Sequence, residues 1–446
     1  MSVGGKHEAG APRFRIAVVG AGISGLSAAW LLSQHHDVTV YEREPRLGGH
    51  SNTVDAHEPG RPPVGIDTGF IVFNPLNYPN LVQLFAHLGV ETAPSDMSFA
   101  VSLDNGALEY GGGTISSLFA QRRNLVSPRF WAMLKDLTRF YRTAPTALHD
   151  GADDSITLGE FLAKHRYGDA FVKDHLLPMA GAIWSAAPGA LAAYPAASFI
   201  RFFENHGLLR FSDRPPWRTV KGGSRSYVAK ITNGLHAHVS APVSRIERHD
   251  AGVRITAAGD TRNFDRVLIA AHADEALAML ADPSPREHAL LSQFSYTKND
   301  TILHTDATVM PRRRSVWASW NYIGKREGEH RDICVSYWMN KLQPLDTATQ
   351  YFVTLNPERE IAPAHVVSRH VYEHPVFTVG ALRAQRQLSQ LQGERHTWFC
   401  GAYFGSGFHE DGLRARRRLP DLRDPAQGLP RLRMRLAARP RARADA

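Results

Sequence analysis

Toward its C-terminal end the 446-residue chain carries Phe408-His409-Glu410-Asp411-Gly412, an imidazole followed by two carboxylates. An imidazole titrates near neutral pH and suits proton transfer as acid or base, which makes His409 the candidate catalytic residue. Glu410 and Asp411 have two roles open to them. Acids favour a helix N-terminus, so they either cap the helix that follows or take part in the chemistry. Near the N-terminus, Gly20-Ala21-Gly22-Ile23-Ser24-Gly25 offers a different chemistry, a glycine-rich backbone able to hold phosphate. Gly20 allows a tight turn, Gly22 lets backbone approach a pyrophosphate, and Gly25 lets a helix pack close to a strand. Ile23 and Ser24 open that helix, where free N–H groups and the positive dipole end meet the phosphates. No Ser-His-Asp arrangement or metal-ligand spacing is evident, and no metal is expected. With 22 histidines, isolated pairs arise by chance.

These groups need elements to position them. Phe14 to Val19 is a short apolar run with β-branched residues, the pattern of a buried strand. A helical pattern through Leu26, Ala29, Trp30 and Leu31 runs to about Gln34. A second strand, Asp37 to Tyr41, ends at Glu42. The acid lies roughly 20 residues beyond the first glycine, where a carboxylate accepts hydrogen bonds from an adenosine ribose and repels a 2′-phosphate. Arg43, Arg46, Gly48, Gly49, His50 and Thr53 follow. A basic side chain and a second glycine pair beyond the second strand lengthen the cradle, as a larger dinucleotide reaching into the protein requires.

At this point the chain resembles the FAD-binding amine oxidase superfamily, which includes monoamine oxidases, protoporphyrinogen oxidase and phytoene desaturases. The resemblance implies FAD as cofactor. It continues in Thr219 to Ala229, a glycine pair before a helix, and in Ala241 to Ile255, a hairpin turning at Asp250-Ala251-Gly252. There the resemblance implies that the Val243 backbone contacts the adenine side of FAD. Phe264 to Ala271 is a further buried strand leading to a helix start at His272. His396 to Leu413 is similar to the C-terminal signature, in which a strand ends at Gly401 and a helix N-terminus, with Phe408 and Gly412, approaches the flavin. Ala402 departs from the pattern, because the family places a carboxylate there. Ile66 to Val90, Ser95 to Ser102 and Leu303 to Tyr322 resemble a narrower group, bacterial flavoproteins associated with cyclopropane-fatty-acid synthases. That likeness implies a lipid-modifying methyltransferase as a partner.

The expected fold class is α/β: a discontinuous Rossmann-like FAD-binding domain over residues 1–75, 216–275 and 393–413, with an amine oxidase-like α+β substrate domain over 76–215 and 276–392. The first insertion reads mostly helical (Leu81 to Leu88, Phe130 to Tyr141, Leu158 to His165, Ala170 to Leu177). The second reads as strands (Thr301 to Thr305, Val316 to Tyr322, Ile333 to Trp338, Tyr351 to Leu355). Tyr403, Phe404, Trp320 and Tyr337 either line an apolar substrate pocket or fill the core. Asp67 sits at a strand end, where a structural role is favoured over a flavin contact. His374-Pro375 reads as a fixed bend. Lys298 lies near, but not at, the position of the lysine that bonds a water at the flavin in amine oxidases.

Composition bounds the rest. Apolar content of 43% and charged content of 21% fit a soluble globular protein. Two cysteines, Cys334 and Cys400, cannot build a disulfide framework and fit a reduced cytoplasmic setting. No apolar run approaches the ~20 residues that span a bilayer, which leaves peripheral contact with the inner membrane open. The net charge of +9 is concentrated in residues 414–446, where eleven arginines face three acids. The body is nearly neutral, so no nucleic-acid partner is expected from it. The tail is either a basic arm or, the reading preferred here, the product of a shifted reading frame. The functional expectation is an FAD-dependent oxidoreductase oxidising or desaturating a small apolar substrate such as an acyl chain. The alternatives are an amine oxidase and a non-catalytic flavin-binding partner of a lipid methyltransferase.

Overall fold

A computed structural model describes residues 13–149, 155–211, 213–326 and 333–415; most of the arginine-rich tail, from residue 416, lies outside these. The centre is a five-stranded parallel sheet, ordered His236–His238, β2 (Asp37–Tyr41), β1 (Arg15–Val19), Arg266–Ile269 and Thr397–Phe399. Ile16, Ala17 and Val18 are fully buried in β1, as their unbroken apolar run requires. Helix α1 (Ile23–Leu32) crosses between β1 and β2. Val19 registers with Tyr41 on one side and Ile269 on the other, and Ile269 with Phe399. The strands therefore end together along one edge, where open α/β sheets bind their ligands.

A seven-stranded mixed sheet forms the second body. Its long pair, Ser295–His304 with Val366–Val376, registers Tyr296 with Pro375 and Thr297 with His374. The His374-Pro375 step is thus part of a strand and not the bend expected from its sequence. Val366–Val376 is an edge strand, and an edge tolerates a residue without an N–H.

The first insertion is mostly helical, as expected, and adds short strands that its sequence did not suggest. α2 (Pro79–Leu88), α3 (Ile115–Leu118) and α4 (Pro128–His149) alternate with strands Phe99–Leu103 and Leu108–Gly111, which complete the seven-stranded sheet. Asp104, Asn105 and Gly106 turn between those strands with φ of 52°, 55° and 83°. That left-handed path suits Asp, Asn and Gly. The helix expected over Ala170 to Leu177 is present, as Asp169–Phe171, a π segment Val172–Leu176 and helix Leu177–Trp184 in unbroken succession. Helix Ala196–Asn205, unforeseen in the sequence, buries Phe199, Ile200, Phe202 and Phe203. These rings gather with Trp184 and Tyr194 in a separate aromatic core.

Candidate functional site

The site is built along the edge where the parallel strands end. Gly20 has a φ of 101°, and its N–H donates to the Tyr41 carbonyl at 2.8 Å. A methyl group on Gly25 would lie 1.9 Å from the Gly20 carbonyl oxygen, so α1 can pack this close only through glycine. Gly22 is different. It precedes α1 with an extended φ of −72°, and a methyl group there would meet no protein atom within 4 Å. Packing within the protein does not demand glycine at that position, and the space beside the helix start is open.

The second glycine pair lies over the first. The Gly48 N–H donates to the Ala21 carbonyl at 2.8 Å, and a methyl group on Gly49 would come within 3.0 Å of the Gly22 Cα. Arg46 holds the pair by donating to the Gly49 carbonyl at 2.8 Å. Glu42 is buried; its carboxylate accepts from the Ala21 N–H at 2.8 Å and from the Glu44 N–H at 3.0 Å. The acid stands beside the glycine loop, anchored on backbone. Arg43 turns outward to pair with Glu275. Val243 begins strand Val243–His249 and packs on the main core.

The far end of the cradle is lined with histidines. His409 Nε2 lies 2.9 Å from Ser51 Oγ and 3.3 Å from the Tyr227 hydroxyl, and its ring stacks on Phe70 at 3.8 Å and 14°. His50 sits 5.4 Å, between ring centroids, from His374 and 5.0 Å from Tyr372. Asn52 donates to the Tyr372 hydroxyl at 2.9 Å, and Asn299 meets His374 Nδ1 at 2.9 Å. Burial pushes the His409 imidazole down to about 3 and that of His374 to about 4. His50 falls well below its ordinary range, first through burial and then through the neighbouring His374. At neutral pH all three are uncharged. They offer hydrogen-bonding nitrogens beside aromatic faces, which suits a flat heterocycle with a polar edge. With its imidazole pushed down to about 3 by burial, His409 is not the near-neutral acid or base that its residue type suggests.

Several residues fall elsewhere than the sequence suggests. Glu410 does not cap its own helix. It is buried and caps α2, accepting from the Asn80 and Leu81 N–H groups at 3.1 Å and from the Asn80 side chain. Asp411 caps locally, accepting from the Ser406 and Phe408 N–H groups at 2.9 and 3.1 Å. A methyl group on Gly412 would lie 2.6 Å from Ser24 Oγ, so the terminal helix His409–Ala415 seats directly on the first turn of α1. Tyr403 and Phe404 pack in the main core, with Tyr403 lying over Gly401. Trp320 and Tyr337 meet edge to face at 5.1 Å in the second core. Lys298 is exposed and pairs with Glu373. His272, Glu275 and Glu373 bring potential metal ligands within 4.8 Å of one another, but Arg43 and Lys298 pair with the two carboxylates. Ser51, Phe70, Tyr227 and Tyr372 were not anticipated. Phe70 lies within Ile66 to Val90 and Tyr227 within Thr219 to Ala229, segments whose likeness attaches no role to either ring.

Acid is expected to destabilise the fold. Burial lowers His175 and His304 to about 4, as it does His374. Their folded values lie below the unfolded value, so the unfolded chain takes up protons first. The stability they contribute is complete above about pH 6.5 and is lost toward pH 4, at roughly 1.4 kcal/mol per pH unit per imidazole. Asp67 opposes them, because burial raises it to about 6 and the folded state then binds its proton first. The imidazoles outnumber it. Unfolding temperatures should therefore fall from about pH 7 to about pH 5; a flat profile would show that these rings are not buried and neutral.

The model of the flavin-containing amine oxidoreductase family matches residues 23–328. Over 290 residues the chain is 28% identical to a putative flavin-containing monoamine oxidase of Mycobacterium tuberculosis, covering 62% of this chain and 61% of that one. The chain thus spans about three fifths of the length of the curated relatives it matches first. Among solved structures, a CLA-producing fatty acid isomerase from P. acnes superposes with a TM-score of 0.67 at 15% identity, over 92% of this chain and 98% of that one. A putrescine oxidase variant superposes with a TM-score of 0.65 at 15% identity over the same shares. At these identities the structural likeness establishes the shared fold.

Proposed function

The chain belongs to the flavin-containing amine oxidoreductase family, and on that premise we propose an FAD-dependent oxidoreductase that acts on an apolar chain bearing an acidic head group. FAD supplies hydride and electron transfer when bound. The residues fit it: Gly20, Gly22 and Gly25 with the α1 N-terminus for the pyrophosphate, Glu42 for the ribose, and His50, Ser51, Tyr227 and His409 around the ring system. The chain's own part is to bind, to orient and to exclude water. His409, held uncharged by burial, meets Ser51 and Tyr227 through Nε2 and can orient a bound ring system by hydrogen bonding.

One observation carries the choice of substrate. A cavity of about 390 Å³ opens between α2, helix Ala196–Asn205 and the start of the terminal helix. Tyr78, Tyr194, Phe202, Leu382 and Phe408 give it an apolar side, and Asn77, Ser198, Asn205, Gln385 and Ser406 a polar one. Its two acids are occupied, Glu410 with the α2 backbone and Asp411 with its own loop. A substrate ammonium would find no carboxylate free of backbone donors. Arg201 also lines the cavity, is exposed, and has no ion pair among the described residues. A carboxylate or similar anionic head at Arg201, with its chain along the aromatic wall, uses the charge the cavity offers. Phe202 and Phe408, stacked at 5.0 Å, are the feature that would suit an amine instead.

Arg201→Gln should raise KM for a long-chain carboxylic acid on the order of tenfold to a hundredfold, with kcat little changed. The same change should leave a neutral apolar substrate unaffected. An unchanged KM for the acid would remove Arg201 from the head-group role, and turnover confined to amines would defeat the reading. The lipid-modifying methyltransferase implied by the narrower likeness belongs to the same proposal, as a partner sharing an acyl substrate.

A further inference from the structure

A second surface, remote in sequence from the glycine loop and His409, combines exposed apolar side chains with unbalanced positive charge. Ile115 on α3, Leu125 and Val126 in the turn after it, and Trp131 on α4 are 80%, 50%, 81% and 50% exposed. They are contiguous. The Trp131 indole N–H donates to the Leu125 carbonyl at 2.9 Å, and its ring lies 5.8 Å from Phe119, one helical turn beyond Ile115. Isolated exposed apolar residues are ordinary on a soluble protein, but four large ones projecting from one short stretch are not.

The charge around them has one sign. Residues 110–135 contain Arg122, Arg123, Arg129 and Lys135 and no acid. Ala120 packs on Val316 and Ala318, which brings the Arg312-Arg313-Arg314 run beside this stretch. Arg122, Arg123, Arg312 and Arg314 are exposed. The neighbouring acids, Glu109 and Asp174, are buried and paired with Arg313 and Arg129. An indole at the boundary, aliphatic side chains beyond it and arginines at its rim form the pattern of a face lying in a lipid headgroup layer. No helix among the described residues is long and apolar enough to cross a membrane.

We propose that this face docks the protein onto an anionic lipid surface. Ile115, Val126 and Trp131 insert among the headgroups and acyl chains, and the four arginines meet lipid phosphates. Charge complementarity selects this occupant: the rim needs distributed anions, and the apolar tip needs a hydrocarbon boundary, which a soluble anion lacks. The inference stands independently of the substrate proposal.

The test is co-sedimentation of the full-length protein with sucrose-loaded vesicles of phosphatidylcholine, with and without phosphatidylglycerol. Residues 414–446 carry eleven arginines and attract anionic vesicles themselves, so the comparison is between full-length variants. The combined Ile115→Ser, Val126→Ser and Trp131→Ser variant should bind phosphatidylglycerol vesicles at least tenfold more weakly than the unmodified protein. The combined Arg122→Gln and Arg123→Gln variant should lose roughly fivefold or more and show a shallower salt dependence. All five side chains are exposed, the three apolar ones by half or more, so both variants should fold, with Trp131→Ser losing its contacts to Leu125 and Phe119. Quenching of tryptophan fluorescence by lipids brominated on the acyl chain should diminish in Trp131→Phe. Vesicle binding unchanged in both combined variants would overturn the proposal. So would variants that lose binding to an oligonucleotide or an acidic polypeptide while keeping vesicle binding, because the face would then serve a different partner.

Discussion

A Gly22→Val protein is expected to fold normally and to bind FAD at least a hundredfold more weakly, a loss of about 3 kcal/mol or more. The two halves of that expectation rest on one observation. A Cβ at Gly22 meets no protein atom within 4 Å, and φ of −72° is open to valine, so the backbone has no reason to resist it. The space it fills is the approach to the first turn of α1, where N–H groups and dipole are presented to a phosphate. Gly25→Val is the contrast. Its side chain would run into the Gly20 carbonyl at 1.9 Å, and that protein should lose stability as well as FAD. Flavin content after purification and the unfolding temperature of the FAD-free proteins separate the two. If Gly22→Val retained FAD with unchanged affinity, the pyrophosphate would not lie there.

Asp67→Ala is expected to be the most destabilising single change away from the apolar cores, at roughly 3–5 kcal/mol. Asp67 is 1% exposed. It accepts from Thr53 Oγ1 at 2.6 Å, from the Ser224 N–H at 2.8 Å, from Ser224 Oγ at 2.7 Å and from Gln343 Nε2 at 3.0 Å. Four donors from three distant segments converge on one carboxylate, and alanine would leave them buried without an acceptor. The loop His50–Thr53 leads into this junction, so the loss should reach the flavin cradle. Asp67→Asn keeps an acceptor for Ser224 and should cost less than half as much. Denaturant unfolding of the three proteins measures the difference. A near-neutral Asp67→Ala would mean that water or rearranged partners replace the carboxylate.

The parts of the site legible in the sequence are those whose physics is local. The glycine loop, its strand and helix, and Glu42 lie within about 30 residues, and each residue type answers to a steric or electrostatic need visible in the spacing. The parts that were not legible depend on segments far apart in the chain. Glu410 reads as a cap for its own helix because adjacency is all a sequence offers; the fold brings it to Asn80 and Leu81 instead. His409 stands out by residue type, but Tyr227 and Phe70 reach it from distant segments. Trp320 and Tyr337 alternate as strand residues should, and alternation does not say whether a buried face looks at a ligand or at other core residues. The Asp104-Asn105-Gly106 turn was there to be read, and the strands it joins were short enough to pass as part of a helical insertion.

The most direct test of the central claim is anaerobic mixing of the FAD-loaded protein with long-chain carboxylic acids and, separately, with alkylamines of matched length, following the visible absorption of the oxidised flavin. Bleaching by the acids, weakened by Arg201→Gln and absent with the amines, is the result expected of an FAD enzyme acting on an acid-headed apolar chain. Bleaching by the amines alone would contradict it.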